Sequence, residues 1–337
     1  MWWLPTLLFA AAACVAVWVG TGLVLRLLAA RAILDHPTER SSHERPTPRG
    51  AGLAVMPVVL AAWIAVSVIE DTLVFHWPVF AAAAALAAVS WLDDLRGLGA
   101  LPRLAAHAAA VGVGLFALPG VGPVFQGLLP EWLDLALAAL AWMWFINLFN
   151  FMDGIDGISG AEAGCIGVGL FLVALAGGWA GDARLYALII AAAALGFLPW
   201  NWHPARIFLG DVGAVPLGYL LGWLLLGAAA AGLWAAALLL PLYYVADATV
   251  TLARRLARGE RVWRAHREHY YQRAVQRGLS HAAVVRAILA ANLVLAACAL
   301  ASLAGPAPTA AGMVIGALSV AALLWYFRGP SRTPADG

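Results

Sequence analysis

Residues 51–70 read AGLAVMPVVLAAWIAVSVIE, with no charged side chain before the closing Glu70. A helix rises about 1.5 Å per residue, so roughly 20 apolar residues cross about 30 Å of bilayer hydrocarbon. Ten more stretches of this kind lie at 2–28, 76–92, 101–118, 130–147, 158–178, 182–199, 213–227, 231–252, 282–304 and 308–328. Composition agrees: of 337 residues 64 % are hydrophobic and 11 % charged, with mean hydropathy +0.86. A soluble domain carries about 25 % charged residues, so a soluble globular protein is excluded. Barrel strands would show segments of about ten residues with alternating polarity, which these Ala/Leu/Val runs lack. The expectation is an all-α, polytopic integral membrane protein of about eleven transmembrane helices, one transmembrane domain over residues 1–337.

Charge placement orients it. Nineteen of the twenty Arg fall on one side, from Arg26 to Arg49, then Arg96, Arg103, Arg206, Arg254 to Arg277, Arg286, Arg328 and Arg332, against Arg184 alone on the other. Cytoplasmic loops collect basic residues, which places the N-terminus outside and the C-terminus in the cytoplasm. The start Met1-Trp2-Trp3-Leu4-Pro5 has no basic n-region and no clear cleavage site, so a retained first helix is expected rather than a signal peptide. A net charge of +2 gives no argument for nucleic acid. Cys14, Cys165 and Cys298 lie in apolar stretches and suggest neither disulfides nor a zinc site. The sixteen Trp suit interfacial belts, His107 a packed position, and Gly164 to Gly169 a helix-packing face.

The chemistry gathers in the cytoplasmic loops 29–50, 93–103, 147–158, 199–213 and 253–281, with six of the eight histidines. The first loop runs from Asp35-His36-Pro37 to Pro48-Arg49-Gly50, where Arg49 offers a planar fork for phosphate, although such a loop also simply anchors topology. Asp93-Asp94 closes the third span, at a helix C-terminus where the dipole disfavours anions. Adjacent helical positions face different points, so one Asp is expected to act and the other to support it. The plainer reading is a pair neutralised by Arg96 or Arg103.

Asn147-Leu148-Phe149-Asn150-Phe151-Met152-Asp153-Gly154-Ile155-Asp156-Gly157 supplies several oxygen ligands, a set that suits magnesium with waters and substrate phosphates rather than a calcium cage. Asp211, between Gly210 and Val212-Gly213 before the next helix, is placed for a metal or as a plain N-cap. In the last loop, Arg264, His266, Arg267 and His269 read better as a diphosphate grip than as a zinc site, since no third ligand accompanies the histidines. Asp247, near the inner end of its span, is either a site residue or an Arg partner.

Taken in order, Asp35-His36-Pro37 with Pro48-Arg49-Gly50, Asp93-Asp94, Asn147 to Gly157, Phe208-Leu209-Gly210-Asp211-Val212-Gly213 and the His266 to His269 loop resemble the polyprenyl-phosphate N-acetylhexosamine-1-phosphate transferases. The resemblance covers almost the whole chain. Ala265 to Gln272 and Phe149 to Gly154 look most like the branch that starts O-antigen synthesis, and the three-histidine run of the phospho-MurNAc-pentapeptide translocases is missing. Ala51 and Ala214 depart from the Gly and Ser frequent in relatives.

The resemblance implies transfer of a sugar 1-phosphate from a UDP-N-acetylhexosamine to undecaprenyl phosphate with release of UMP, at the cytoplasmic face of a bacterial inner membrane. It implies Mg2+ held by Asn150 and Asp211, and a catalytic pair, Asp93 and Asp94, that orients and deprotonates the acceptor phosphate. It further implies substrate binding by Arg49, Asp153 near ribose or the metal shell, Asp156 at uracil, Asp247, and Arg264, His266, Arg267 and His269 at the diphosphate and sugar. Membrane lipids are expected partners, nucleic acid is not, and a homodimer is compatible with the chain. UDP-MurNAc-pentapeptide is the alternative donor. A secondary transporter is the alternative class, disfavoured because only Glu162 and Asp247 lie clearly inside spans.

Overall fold

A computed structural model describes residues 3–37, 42, 45–118, 122–179, 181–261 and 266–329. The chain runs through α1 (Trp3–Ala30), a short hairpin β1 (Leu34–Asp35) and β2 (Thr47–Pro48), then α2 (Gly52–Ile69), α3 (Leu73–Arg96), α4 (Ala100–Phe116), α5 (Glu131–Phe151), α6 (Ile158–Gly177) and α7 (Ala183–Asn201). It continues through α8 (Asp211–Ala228), α9 (Trp234–Leu239), α10 (Leu242–Ala257), α11 (Tyr270–Gln276), α12 (His281–Ala301) and α13 (Pro306–Arg328). It is an all-α polytopic protein whose only sheet among the described residues is that hairpin, with Leu34 opposite Pro48 and Asp35 opposite Thr47.

Among the described residues, 9 helical stretches are long and apolar enough to cross a membrane, and α4 is a shorter apolar helix. The expected span over 231–252 is differently built. A π-type turn at Ala229–Leu233, with Gly232 at φ 85°, ends α8, and α9 stops at Leu239. Pro241 then precedes α10, a position where its missing N–H leaves no helical bond unmade. α10 runs past the expected boundary to Ala257 and carries Arg254 and Arg255 in its last turn, where cations suit the dipole.

One continuous apolar core joins residues from α1 to α13. One of its tight joints lies between α2 and α8: a Cβ at Gly52 would sit 2.3 Å from the Gly213 nitrogen, so only glycine permits the approach. Trp142 of α5 stacks on Tyr219 of α8 at 4.7 Å and donates to the Tyr219 carbonyl at 2.9 Å, while Tyr219 donates to the Ala110 carbonyl of α4 at 3.1 Å. Around this core the outer faces of α1 and α13 expose Leu7, Leu8, Leu23, Ile315, Leu318 and Trp325, a surface that hydrocarbon can cover.

Candidate active site

Backbone pairing brings the first loop to the start of α8. Phe208 N–H donates to the Pro48 carbonyl at 2.9 Å, Gly50 and Ala51 N–H donate to the Phe208 carbonyl at 3.0 and 2.9 Å, and Gly52 N–H donates to Leu209 at 3.0 Å. Gly210 sits at φ 76°, and a Cβ there would meet Asp94 Oδ2 at 2.9 Å, so the turn needs glycine. Arg49, 162 residues away in sequence, is thereby ion-paired with Asp211, and its Nη2 also lies 3.0 Å from Asp94 Oδ1.

Asp94 ends one helix and caps another. Its Oδ1 accepts from Asp211 N–H at 3.1 Å and its Oδ2 from Val212 N–H at 2.9 Å, so a carboxylate disfavoured at the end of α3 is stabilised by the opposite dipole end of α8. Asp93 points elsewhere, accepting from Leu98 N–H at 2.5 Å and from Arg103 Nη1 at 3.1 Å. The same Arg103 atom lies 4.0 Å from Asp211 Oδ2. The two adjacent acids thus face different partners, and both are held by protein donors.

Asn150, at the end of α5, reaches Asp211 Oδ2 with its amide nitrogen at 3.3 Å. The following turn, 152–157, carries Asp153 and Asp156. Burial pushes the Asp153 carboxyl up to about 6, against a hydrogen bond from Ser159 and the field of Arg49. Burial also pushes Asp156 up, but hydrogen bonds from His281, His203 and the Ala205 N–H outweigh it and hold that carboxyl below its ordinary value. The turn is fixed by Asn201, which accepts from Gly157 N–H at 2.9 Å and donates to the Ile207 carbonyl at 3.0 Å.

The last loop is anchored on a residue that the sequence reading gave to substrate. Asp247 is fully buried and accepts from Tyr270 N–H at 2.9 Å, Tyr271 N–H at 3.2 Å, Tyr243 OH at 3.2 Å and Thr251 Oγ1 at 3.3 Å, with His269 Nδ1 at 3.3 Å. These donors come from α10 on one side and from His269 and the first residues of α11 on the other, so Asp247 joins the two helices. His269 is buried and stacks on Tyr271 at 5.7 Å. His266, 4.8 Å from the His269 ring, is pushed down to about 4 by burial, then by His269 and Arg255. That shift favours the neutral imidazole, which can still hydrogen-bond a diphosphate or sugar oxygen as the sequence reading expects of this loop. Arg267 lies half-buried on this loop, and Arg264 falls outside the described residues.

These elements enclose a cavity of about 220 Å3. Of the predicted site residues, Arg49, Asn150, Asp153, Asp156 and Asp211 form its wall; Asp93, Asp94, Asp247, His266, Arg267 and His269 do not. Sequence reasoning missed Asp35, Asn201, Phe208, Gln272 and His281, which do. All five stand inside or beside stretches already singled out by composition, but nothing in a linear string says which of their side chains turn inward. The donor chemistry fits magnesium at one wall: a carboxylate from Asp211 and an amide from Asn150, with Asp153 on the same cavity wall and open volume left for water and phosphate oxygens.

The architecture is that of a multi-pass membrane protein with a charged pocket at the Asp211 end of its helices. The profile described as glycosyl transferase family 4 matches residues 76–229. A decaprenyl-phosphate N-acetylglucosaminephosphotransferase of Mycobacterium tuberculosis is 30% identical, with 92% of this chain and 85% of that protein covered. A probable undecaprenyl-phosphate N-acetylglucosaminyl 1-phosphate transferase of Bacillus subtilis is 28% identical over 77% of this chain and 75% of its own length. A phospho-N-acetylmuramoyl-pentapeptide-transferase of a Synechococcus species is 30% identical over 64% of each. The chain belongs to this family of membrane phospho-sugar transferases, and the transporter alternative falls.

Proposed function

We propose that the protein transfers an N-acetylhexosamine 1-phosphate from a UDP-sugar to undecaprenyl phosphate, releasing UMP, as the first membrane step of a cell-surface polysaccharide such as O-antigen. The reading places the pocket at the cytoplasmic face of a bacterial inner membrane, where a soluble nucleotide and a membrane-held phosphate can meet. The observation that carries it is the grouping of Arg49, Asn150 and Asp211 with Asp153 and Asp156 in the lining of one cavity.

Asp211 and Asn150 would hold Mg2+, which when bound supplies charge neutralisation on the donor diphosphate. Arg49 presents its guanidinium fork beside that position, where it can bind a phosphate oxygen pair. Asp94 positions Arg49 and the first amides of α8, and Asp93 positions Arg103. Asp156 faces the nucleobase and Asp153 the ribose side. The acceptor is already largely ionised near neutral pH, since a phosphate monoester has its second pKa at about 6. Its oxygen attacks the β-phosphorus, the bond from that phosphorus to the bridging oxygen breaks, and the electron pair leaves with UMP. The rival route needs Asp93 or Asp94 as nucleophile. Both spend their oxygens on Arg and amide donors, which favours direct displacement.

The test is UMP release by purified protein in detergent with undecaprenyl phosphate, Mg2+ and a panel of UDP-N-acetylhexosamines plus UDP-MurNAc-pentapeptide. Release that requires lipid and metal and drops by about 100-fold or more in Asp211→Ala is expected. A folded protein inert toward every donor would overturn the reading. Preference for the pentapeptide donor would move the reaction to peptidoglycan synthesis.

A further inference from the structure

Three groups from distant parts of the chain converge beside the pocket, two of them in its lining. Asp156 comes from the turn before α6, His203 from the loop between α7 and α8, and His281 from the first position of α12. His203 Nδ1 lies 2.6 Å and His281 Nδ1 3.2 Å from the same oxygen, Asp156 Oδ2, and one ligand atom from each residue fits within 4.8 Å of the others. We propose that Asp156, His203 and His281 form a binding site for a zinc-class divalent cation, separate from the oxygen-rich position at Asp211 and Asn150.

The donor set decides the ion. Two imidazoles and one carboxylate with a free fourth position suit tetrahedral zinc, whereas magnesium prefers oxygen ligands in octahedral array. Asp156 and His281 line the cavity, so the fourth position opens onto it. His281 Nδ1 also lies 3.3 Å from the Asp156 N–H, a donor, while facing the Asp156 carboxylate, an acceptor. A neutral ring nitrogen satisfies only one of those two neighbours. A cation between nitrogen and carboxylate takes the ring lone pair and the carboxylate oxygen together, in place of the long 3.3 Å contact from the Asp156 N–H.

The site is also preorganised. Asn201 ties the Asp156 turn to the loop that carries His203, and the Ser280 side chain caps α12 by accepting from Ala283 N–H at 3.2 Å, fixing the residue beside it, His281. His281 and Asp156 are buried and His203 is the exposed member, which leaves a path for an ion to enter. A carboxylate that holds zinc is withdrawn from the nucleotide, so the cation inhibits donor binding; this consequence alone rests on the proposed function.

Equilibrium dialysis of the full-length protein in detergent against Zn2+, with Mg2+ in large excess, tests the site without any turnover. One zinc per chain is expected, and Co2+ in its place should give the visible absorption of a tetrahedral centre. The double variant His203→Ala/His281→Ala should lose more than about tenfold in affinity, the least that even an outer partner of a metal ligand costs. Asp156→Asn, nearly isosteric, should lose it too and serves if the double variant does not fold. Absence of stoichiometric zinc in the parent protein overturns the proposal. So does zinc that persists in these variants and is lost instead in His266→Ala/His269→Ala. Zinc binding in a protein that releases no UMP would leave the site standing and remove only the inhibitory consequence.

Discussion

Arg49 has two jobs that a lysine cannot share: its Nη2 reaches Asp94 and Asp211 together, and the rest of its fork stays on the cavity wall. Arg49→Lys keeps the charge and loses the fork, so UMP release should fall by about tenfold or more, and Arg49→Ala by about 100-fold, with unchanged melting in the first case. Steady-state kinetics beside thermal denaturation separate the two effects. Asp153 makes a prediction of opposite sign for stability. Its carboxyl is pushed up to about 6 in the fold by burial. The folded state therefore holds this proton more tightly than the unfolded chain, whose Asp titrates near 4; the stability it contributes is full below about 4 and lost as pH rises through about 6. In metal-free buffer at neutral pH, Asp153→Asn should melt above the parent protein, and the gap should close toward pH 4. A variant that melts lower at neutral pH would show that the charged form is the stabilised one. The residue scale is also where the sequence was most readable: Arg49, Asn150 and Asp211 were singled out by residue type alone, and all three line the cavity. Asp247 misleads at the same scale, since a buried acid serving backbone amides has the same letter as one serving a ligand.

Helix ends, more than helices, build the pocket: α8 begins, α5 and α3 finish and α12 begins around it. Nine of the eleven expected spans were legible because roughly 20 apolar residues in a row have few alternatives in a membrane protein, and most of their boundaries move by only a few residues. The break after Gly232 and at Pro241 was not read, because a turn and a proline inside an apolar run leave hydropathy unchanged. Nor was the pairing of residues 47–52 with 208–209, which depends on contacts across some 160 residues. Asp247 shows what such a joint is worth. In Asp247→Ala the Tyr270 and Tyr271 N–H groups lose their acceptor in a buried setting, at about 1–3 kcal/mol each. A drop in melting temperature is expected, together with weaker donor binding as the α11 segment loosens, since Tyr271 braces the turn of the pocket by donating to the Phe151 carbonyl at 3.1 Å. Donor affinity that survives the destabilised joint would show that this loop does not shape the pocket.

Across the described residues the arginines gather at one end of the bundle, with Arg184 at the other. The pocket, the hairpin and α11 share the Asp211 end of α8, while Gln126 donates to the Ala229 carbonyl at 2.7 Å at the other end, in the segment between α4 and α5. The sorted Arg count gives that division a direction that packing alone does not possess, because a helical bundle buries the same area whichever way it is inserted, whereas basic loops are retained on the cytoplasmic side. Two exposed positions test it. Leu128, on the segment before α5, and Gln276, at the end of α11, lie at opposite ends of the bundle, and both are exposed. A membrane-impermeant maleimide added to intact cells should label Leu128→Cys at once and Gln276→Cys only after lysis. The native thiols of Cys14, Cys165 and Cys298 lie within α1, α6 and α12, where hydrocarbon or packing keeps the reagent away. The reverse pattern would put the pocket outside the cell, away from any nucleotide-sugar made in the cytoplasm, and the proposed transfer would lose its donor. The expected pattern ties the charge asymmetry to the chemistry: the arginines that fix insertion and the arginine that faces the pocket are then one feature of the sequence, selected by one side of the membrane.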